Sequence, residues 1–315
     1  VWERAFSPKN DARFISNSHD YVLMYARDIT QFVIGRLPRT DEANARYSNP
    51  DNDPRGLWRP NNLAARNFYS KGTYSITCPS GRVIDGPPAG SYWRVSEEKF
   101  HELDQDGRIW WGKDGNNVPA PKIFLSEVSD GIVPQTLWSY EEVGHTQDAK
   151  KEIKEIFKGD TPFDTPKPVR LIERILQIAS DPDSIILDSF AGSGTTAHAV
   201  LNINKADGGH RKFILVEMMD YADSITAERV KRVIRGYGEG KNAVEGTGGN
   251  FSFYDLGEPL LVGDCLNEAV APEKIREYIW FMETKTPYAP LSSGNPYYLG
   301  QHNSTGYYFY YVPQR

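Results

Sequence analysis

Hydrophobic positions along this chain fall into two textures. From residue 146 to about 235 they recur with helical or strand period, whereas between 37 and 144 they come in short clusters broken by Pro, Gly, Asn and Asp. In the regular part, Ala149, Ile153, Ile156 and Phe157 share a helical face behind a Thr146 cap, and Gly159 stops the run. A second helix follows, with Thr165 as the expected N-cap, Pro166 in its first turn, and Val169, Ile172, Ile175, Leu176 and Ala179 as its apolar stripe. Asp181-Pro182-Asp183 ends it. Next come a strand over 185–188, a helix over 195–203, a strand over 213–217 and a helix over 222–235. That β-α-β-α order implies parallel strands with right-handed crossovers, which is half of a doubly wound sheet.

Near the start, the apolar run 21–26 is long enough for one buried strand, and such a strand needs neighbours. The irregular stretch 37–144 reads as a mostly β insertion with brief strand pieces at 73–77 and 108–111, and Gly86-Pro87-Pro88-Ala89-Gly90 as a turn. Residues 239–250 are Gly-rich and read as a loop, and 251–255 as a candidate strand. Pro272 opens a helix with Ile275, Ile279 and Met282 on one face. The aromatic runs 297–299 and 307–312, separated by Gly, Asn and Ser, predict a hairpin.

At 315 residues the chain can hold one large α/β domain and a smaller module. Its net charge of −6 argues against a surface wrapped throughout by nucleic acid, but the charge is uneven. Residues 1–122 carry 17 Lys+Arg against 15 Asp+Glu, and the remainder 19 against 27. Within the basic part, Arg36, Arg39, Arg46, Arg55, Arg59 and Arg66 occur without a lysine and are interleaved with Tyr47, Trp58 and Phe68. Arginine forks suit guanine edges and phosphates, and aromatic faces stack on bases; solvated arginines on a loop-rich surface would look the same. Cys78 and Cys265 are too few for a disulfide framework or zinc site and read as buried thiols. No stretch approaches the roughly 20 apolar residues of a membrane helix, and no signal peptide opens the chain, so a cytoplasmic protein, incomplete at its start, is expected.

The chemistry gathers at Asp188-Ser189-Phe190-Ala191-Gly192-Ser193-Gly194-Thr195-Thr196, directly after the apolar run Ile185-Ile186-Leu187. A strand, a turn with two glycines one residue apart and a helix start form the kind of element that holds a nucleotide-like ligand against backbone N–H groups. The missing third glycine departs from the dinucleotide fingerprint. Glu217, at the end of the next strand, stands where an acid can take both hydroxyls of a ribose; alone it would be a solvated strand-end acid. Thr195 and Thr196 read equally as helix caps.

The spacing Asp188-x-Phe190-x-Gly192-x-Gly194 resembles the S-adenosylmethionine loop of amino-methylating DNA methyltransferases, and Phe163-Asp164-Thr165-Pro166-Lys167-Pro168 resembles the Thr-x-Lys-Pro element that precedes it in their circularly ordered members. With the insertion ahead of the loop, the order of elements is similar to the β class of these enzymes, in particular to the modification (Mod) subunits of type III restriction-modification systems. Segments 14–28, 163–202 and 211–236 carry the likeness. It implies an α/β, doubly wound, Rossmann-like methyltransferase sheet, incomplete here, with core residues 1–36, a target-recognition insertion over 37–145, a cofactor-binding half over 146–256 and a C-terminal α+β extension over 257–315.

The same resemblance implies S-adenosylmethionine as cofactor, bound by Asp188, Phe190, Ala191, Gly192, Ser193, Gly194, Thr195, Glu217 and Lys167. Asp188 and Phe190 would face its sulfonium, which suits an acid and an aromatic ring. Duplex DNA would be the substrate, methylated at adenine N6 and contacted by the six arginines, with a Mod homodimer and a restriction (Res) subunit as partners and neither metal nor membrane involved. One departure stands out. Such enzymes carry an Asp-Pro-Pro-Tyr element that localises the lone pair of the flipped base's amine. No such string occurs here; Asn295-Pro296-Tyr297-Tyr298 lacks the second proline and reads as a hairpin start. The catalytic element is therefore expected upstream of residue 1, in a chain that binds cofactor without catalysing. Two other readings stay open: a DNA-specificity module whose partner supplies catalysis, and an S-adenosylmethionine enzyme acting on RNA or small molecules.

Overall fold

A computed structural model describes residues 1–8, 12–289 and 295–311. The chain divides into two compact units, Val1–Asn250 and Phe251–Arg315.

In the first unit, helices Thr146–Ile156 and Val169–Ala179 lead into strand Ile185–Asp188, helix Thr195–Asp207, strand Lys212–Leu215 and helix Glu228–Arg235. The two strands pair in parallel, from Ile185 opposite Lys212 to Asp188 opposite Leu215, so the loops leaving their C-terminal ends lie side by side. Val169, Leu176, Ala199, Val200 and Ile203 pack against Ile186 and Phe213. Alternation along a strand turns Ile185, Leu187 and Ile214 to the opposite face, and all three are exposed. Helices thus cover one face of a two-stranded parallel pair, a mixed α/β arrangement built from small sheets.

Three boundaries differ from expectation for local reasons. The helix expected behind Thr165 begins at Val169, with Pro168 as N-cap. A residue that precedes proline is steered away from helical torsions, so Pro166 and Pro168 keep Thr165 and Lys167 out of the helix. The first helix is capped by His145, whose Nδ1 accepts from the Asp148 amide at 3.1 Å while Asp148 accepts from the His145 amide, a reciprocal cap in place of Thr146. The helix over 222–235 opens with a π-helical turn, Ala222–Ala227, before becoming α-helical at Glu228.

The run 21–26 is not a buried strand. Only His19–Asp20 pairs, antiparallel with Trp2–Glu3, and Tyr21, Leu23, Met24 and Tyr25 are exposed. An apolar run becomes a strand only when its N–H and C=O groups find a ladder, and among the described residues none is offered.

Residues 37–145 contain a three-stranded antiparallel sheet, in the order Trp58–Pro60, Ala120–Phe124, Ile109–Trp110. Two-residue ladders join Ala64–Ala65 to Tyr92–Trp93 and Ile76–Thr77 to Val83–Ile84. Leu63, Ile76, Trp93, Phe100 and Ile109 form its core. The helix Glu97–Gln105 lay outside the mostly β expectation. Its signals are nonetheless in the chain: Ser96 accepts from the Lys99 amide at 3.3 Å, Glu97 and Glu98 sit in the first turn, and Phe100 and Leu103 face the core. Cys78 is buried as expected, whereas Cys265 is exposed.

In the second unit, 251–255 forms no strand. Helix Pro272–Thr284 starts on its proline and buries Ile275, Trp280 and Thr284, while Met282 is exposed. A hairpin pairs Tyr298–His302 with Thr305–Tyr308, and His302 and Tyr307 meet the edge of Trp280. Of the expected second aromatic run, Val312 lies outside the described residues. No helix among the described residues is long and apolar enough to cross a membrane.

Candidate cofactor site

The parallel pair places two carboxylates at neighbouring strand ends, Asp188 on the first strand and Glu217 two residues beyond the second. In open α/β sheets, ligands bind outside the carboxyl ends of the strands. Between the two acids runs the glycine loop.

Its backbone geometry requires the glycines. Gly192 has φ +53° and Gly194 φ +79°; the left-handed region is costly for a residue with a Cβ. A Cβ on Gly192 would also stand 3.3 Å from Phe163 Cζ, and one on Gly194 3.0 Å from the Thr226 carbonyl oxygen.

Expected to cradle a ligand, the loop's N–H groups are instead largely committed within the protein. The Phe190 amide donates to Asp188 Oδ1 at 3.1 Å, Ala191 to the Val216 carbonyl at 3.0 Å, Gly192 to Glu217 Oε2 at 2.8 Å, and Gly194 to the Ala191 carbonyl at 2.8 Å. Glu217 is a strut as well as a rim acid, because its Oε1 accepts from the amides of Met218 and Met219 at 3.0 and 3.1 Å. The other oxygen of Asp188 accepts the Thr196 hydroxyl at 2.5 Å. Neither threonine caps the helix: Gly194 is the N-cap, and Thr195 Oγ1 donates to the Lys167 carbonyl at 3.3 Å.

Phe190 stands at the loop with 86% of its surface exposed, so its ring is open to a planar or cationic group. Behind the loop, Phe163 meets Tyr221 edge-on, with ring centroids 5.5 Å apart. Desolvation, and then the charge of Glu217, push the Tyr221 phenol above its ordinary value. Lys167 reaches the site through its main chain. Its ammonium is 3.8 Å from Asp20 Oδ2 and 5.2 Å from the centre of the Trp2 ring, which brings the first strand pair to the same place.

Two residues that carried no expectation hold the loop from below. The Thr226 hydroxyl, on the π turn, donates to the Gly192 carbonyl at 2.6 Å. Arg229 is fully buried and donates to Ser193 Oγ at 2.9 Å and Thr195 Oγ1 at 2.8 Å, and its other terminal nitrogen meets His198 Nδ1 at 3.3 Å. A signal existed: Arg229 is four residues from both Ile225 and Val233, on the stripe that these two bury. π-helical turns occur often at functional sites, which suits the place of Thr226.

The six arginines of the insertion divide by environment. Arg36, Arg46 and Arg66 are exposed. Arg39 and Arg59 flank Tyr47, their guanidinium carbons 5.3 and 5.8 Å from its ring centre, and Arg59 Nε donates to the Tyr47 hydroxyl at 3.2 Å. Burial pushes that phenol up, but hydrogen bonds and charge from Arg59 and Arg39 bring it below its ordinary value. Arg55 is engaged within the fold, 2.8 Å from Asp53 and 3.2 Å from Asp106, and buried Lys122 bonds Asp53 and Asp51 as well.

A loop closed by its own hydrogen bonds, two acids at its rim and an open aromatic ring suit a ligand with ribose hydroxyls and a sulfonium. S-adenosylmethionine carries both groups. Comparison with known proteins agrees. A family model described as DNA methylase matches residues 1–228. The Mod subunit of the type III restriction-modification enzyme StyLTI of Salmonella typhimurium is 34% identical over 251 residues, covering 74% of this chain and 37% of that protein. The type II methyltransferase M.KpnI of Klebsiella pneumoniae is 49% identical over 237 residues, covering 68% of this chain and 54% of its own length. The EcoPI Mod subunit of Escherichia phage P1 is 27% identical over 228 residues, covering 64% and 35%. The chain thus spans between about a third and a half of the length of these curated relatives. On the match over residues 1–228, the chain belongs to the DNA methylase family, whose methyl donor is S-adenosylmethionine.

Proposed function

We propose that the protein methylates adenine N6 in duplex DNA as the modification subunit of a type III restriction-modification system, and that this chain supplies its cofactor site and its target-recognition insertion. The observation that carries the reading is the glycine loop between Asp188 and Glu217, in a chain similar to the Mod subunits of the StyLTI and EcoPI enzymes. In this reading Glu217 takes the ribose hydroxyls on the lone pairs its backbone bonds leave, Phe190 and Asp188 border the methionine end, and Lys167 closes the site from the preceding element. S-adenosylmethionine supplies an electrophilic methyl group. The residues here bind and orient it, and the closed loop spends little ordering entropy in doing so.

Recognition of DNA belongs, on this proposal, to the insertion over 37–145. Arg36, Arg39, Arg46, Arg59 and Arg66 supply charge to phosphates and forks to base edges, while Arg55 ties the insertion's own loops together. A second Mod copy and a Res subunit complete the assembly. Two measurements test the proposal. Calorimetric titration with S-adenosylhomocysteine should show one site per chain, and duplex DNA should bind with affinity that falls steeply as salt rises, because phosphate contacts release counterions. Expression of the gene in a host free of adenine methylation, followed by mass spectrometry of its DNA, reads the product: N6-methyladenine supports the assignment, and N4-methylcytosine or no DNA binding overturns it.

A further inference from the structure

A guanidinium is seldom buried completely, and the one at Arg229 is. Among the described residues no carboxylate is in hydrogen-bond contact with it, and the nearest compensation is the charge of Glu152. The guanidinium is spent instead on the hydroxyls of Ser193 and Thr195, both buried, and on His198 Nδ1. Its Nε has no hydrogen-bond partner among the described residues. Keeping such a group out of water is costly unless it is hydrogen-bonded or paired, and most of its bonds go to one place. That place is the loop.

The chemistry of the donors fixes the direction of each bond. A guanidinium has donors only, so Ser193 Oγ, Thr195 Oγ1 and His198 Nδ1 must all accept. His198 is thereby the neutral tautomer with its proton on Nε2; burial, and then the charge of Arg229, lower its pKa to about 3. Thr195 Oγ1 accepts on a lone pair and still has its proton, which it donates to the Lys167 carbonyl at 3.3 Å. One side chain therefore orients the glycine loop and, through Thr195, the element that carries Lys167.

We propose that Arg229 is the positioning residue of the cofactor site, setting the Ser193 and Thr195 hydroxyls so that the glycine loop and the Lys167 element are held in their binding arrangement before the cofactor arrives. This rests on the reading of 188–196 as the S-adenosylmethionine loop. Arg229 touches no ligand in this role, so its effect on binding must pass through the two hydroxyls.

A double-mutant cycle reads that route. S-adenosylhomocysteine is titrated into the unaltered chain, Arg229→Met, Arg229→Lys, the pair Ser193→Ala with Thr195→Val, and that pair combined with Arg229→Met, with circular dichroism confirming the fold of each. Arg229→Met should weaken binding by about tenfold to a hundredfold, the usual effect of losing hydrogen bonds to a charged donor. Arg229→Lys should recover part of it. In the background without the hydroxyls, Arg229→Met should add less than about threefold, since interacting residues are non-additive. Losses that add in full across the two backgrounds, or a folded Arg229→Met chain with unaltered affinity, overturn the proposal and leave the cofactor reading intact. Should Arg229→Met not fold, the hydroxyl pair alone decides: unchanged affinity in that folded variant refutes the role, and weakened affinity with restoration on returning Thr195 supports it. No binding by the unaltered chain overturns the loop reading, and the role of Arg229 with it.

Discussion

Replacing Glu217 separates the duty the structure shows, holding the loop, from the one we propose, receiving the ligand. The carboxylate accepts three backbone N–H groups, from Gly192 at 2.8 Å and from Met218 and Met219 at 3.0 and 3.1 Å. A hydrogen bond to a charged acceptor contributes about 1.5–3 kcal/mol when removed from water. The amides of Met218 and Met219 sit on exposed residues and regain water when the carboxylate is lost, so their share is small. Gly192 is half-buried at the base of the loop, and its amide carries most of the loss. For Glu217→Ala, discounting for partial exposure, we expect about 1–2 kcal/mol of destabilisation in urea unfolding. Glu217→Gln keeps one carbonyl oxygen for Gly192 and should cost less than about 1 kcal/mol.

Cofactor affinity should rank the variants differently. Both lose the charged acceptor that, on the proposed function, meets the ribose hydroxyls, so both should bind S-adenosylhomocysteine about tenfold more weakly, the equivalent of roughly 1.4 kcal/mol. A Gln variant that binds as tightly as the unaltered chain would show that Glu217 is a strut and nothing more. A variant weakened only in proportion to its stability would say the same.

Three further outcomes follow from the geometry. Gly192→Val forces a β-branched residue to φ +53° and sets its Cβ 3.3 Å from Phe163 Cζ, so S-adenosylhomocysteine binding should vanish in titration while circular dichroism still reports a folded chain. His198, with its pKa lowered to about 3, binds its proton more readily unfolded than folded, so its contribution is complete above about pH 6.5 and is lost as pH falls toward 3; His198→Asn should flatten that part of a urea-midpoint-against-pH curve. Arg59→Ala should weaken duplex binding and reduce the log–log salt slope by about one, while titration with S-adenosylhomocysteine is unaffected.

The loop was legible in the sequence because its constraint is local: left-handed torsions such as those at 192 and 194 favour glycine, and the branched apolar run before it has the length of a strand. Helices 146–156 and 169–179 were legible for the same reason, their period being carried within eleven residues each. Their first residues were misplaced because capping is decided by one side chain at a time, by His145 in one case and by two prolines in the other. The run 21–26 failed differently. Apolar composition specifies that a segment can be buried, but burial and pairing are supplied by other segments, and hydrophobicity says nothing of whether they are present.

Least legible of all was what supports the loop, and this changes how the site works. Thr226, Arg229 and Phe163 lie roughly thirty residues to either side of Gly192, and an arginine in an amphipathic helix reads as a surface residue until its neighbours are known. With the amides of Phe190, Ala191, Gly192 and Gly194 all bonded internally, the loop cannot grip a ligand as a row of free N–H donors. On the proposed function, discrimination then falls to the rim, where Glu217 and Asp188 offer charge and Phe190 an open ring. A loop so braced is held in its shape by the protein alone. Substitutions beneath it should therefore alter affinity by changing how often that shape is populated, and substitutions at the rim by changing the contacts themselves. The two classes are separable, because only the first should couple to Arg229.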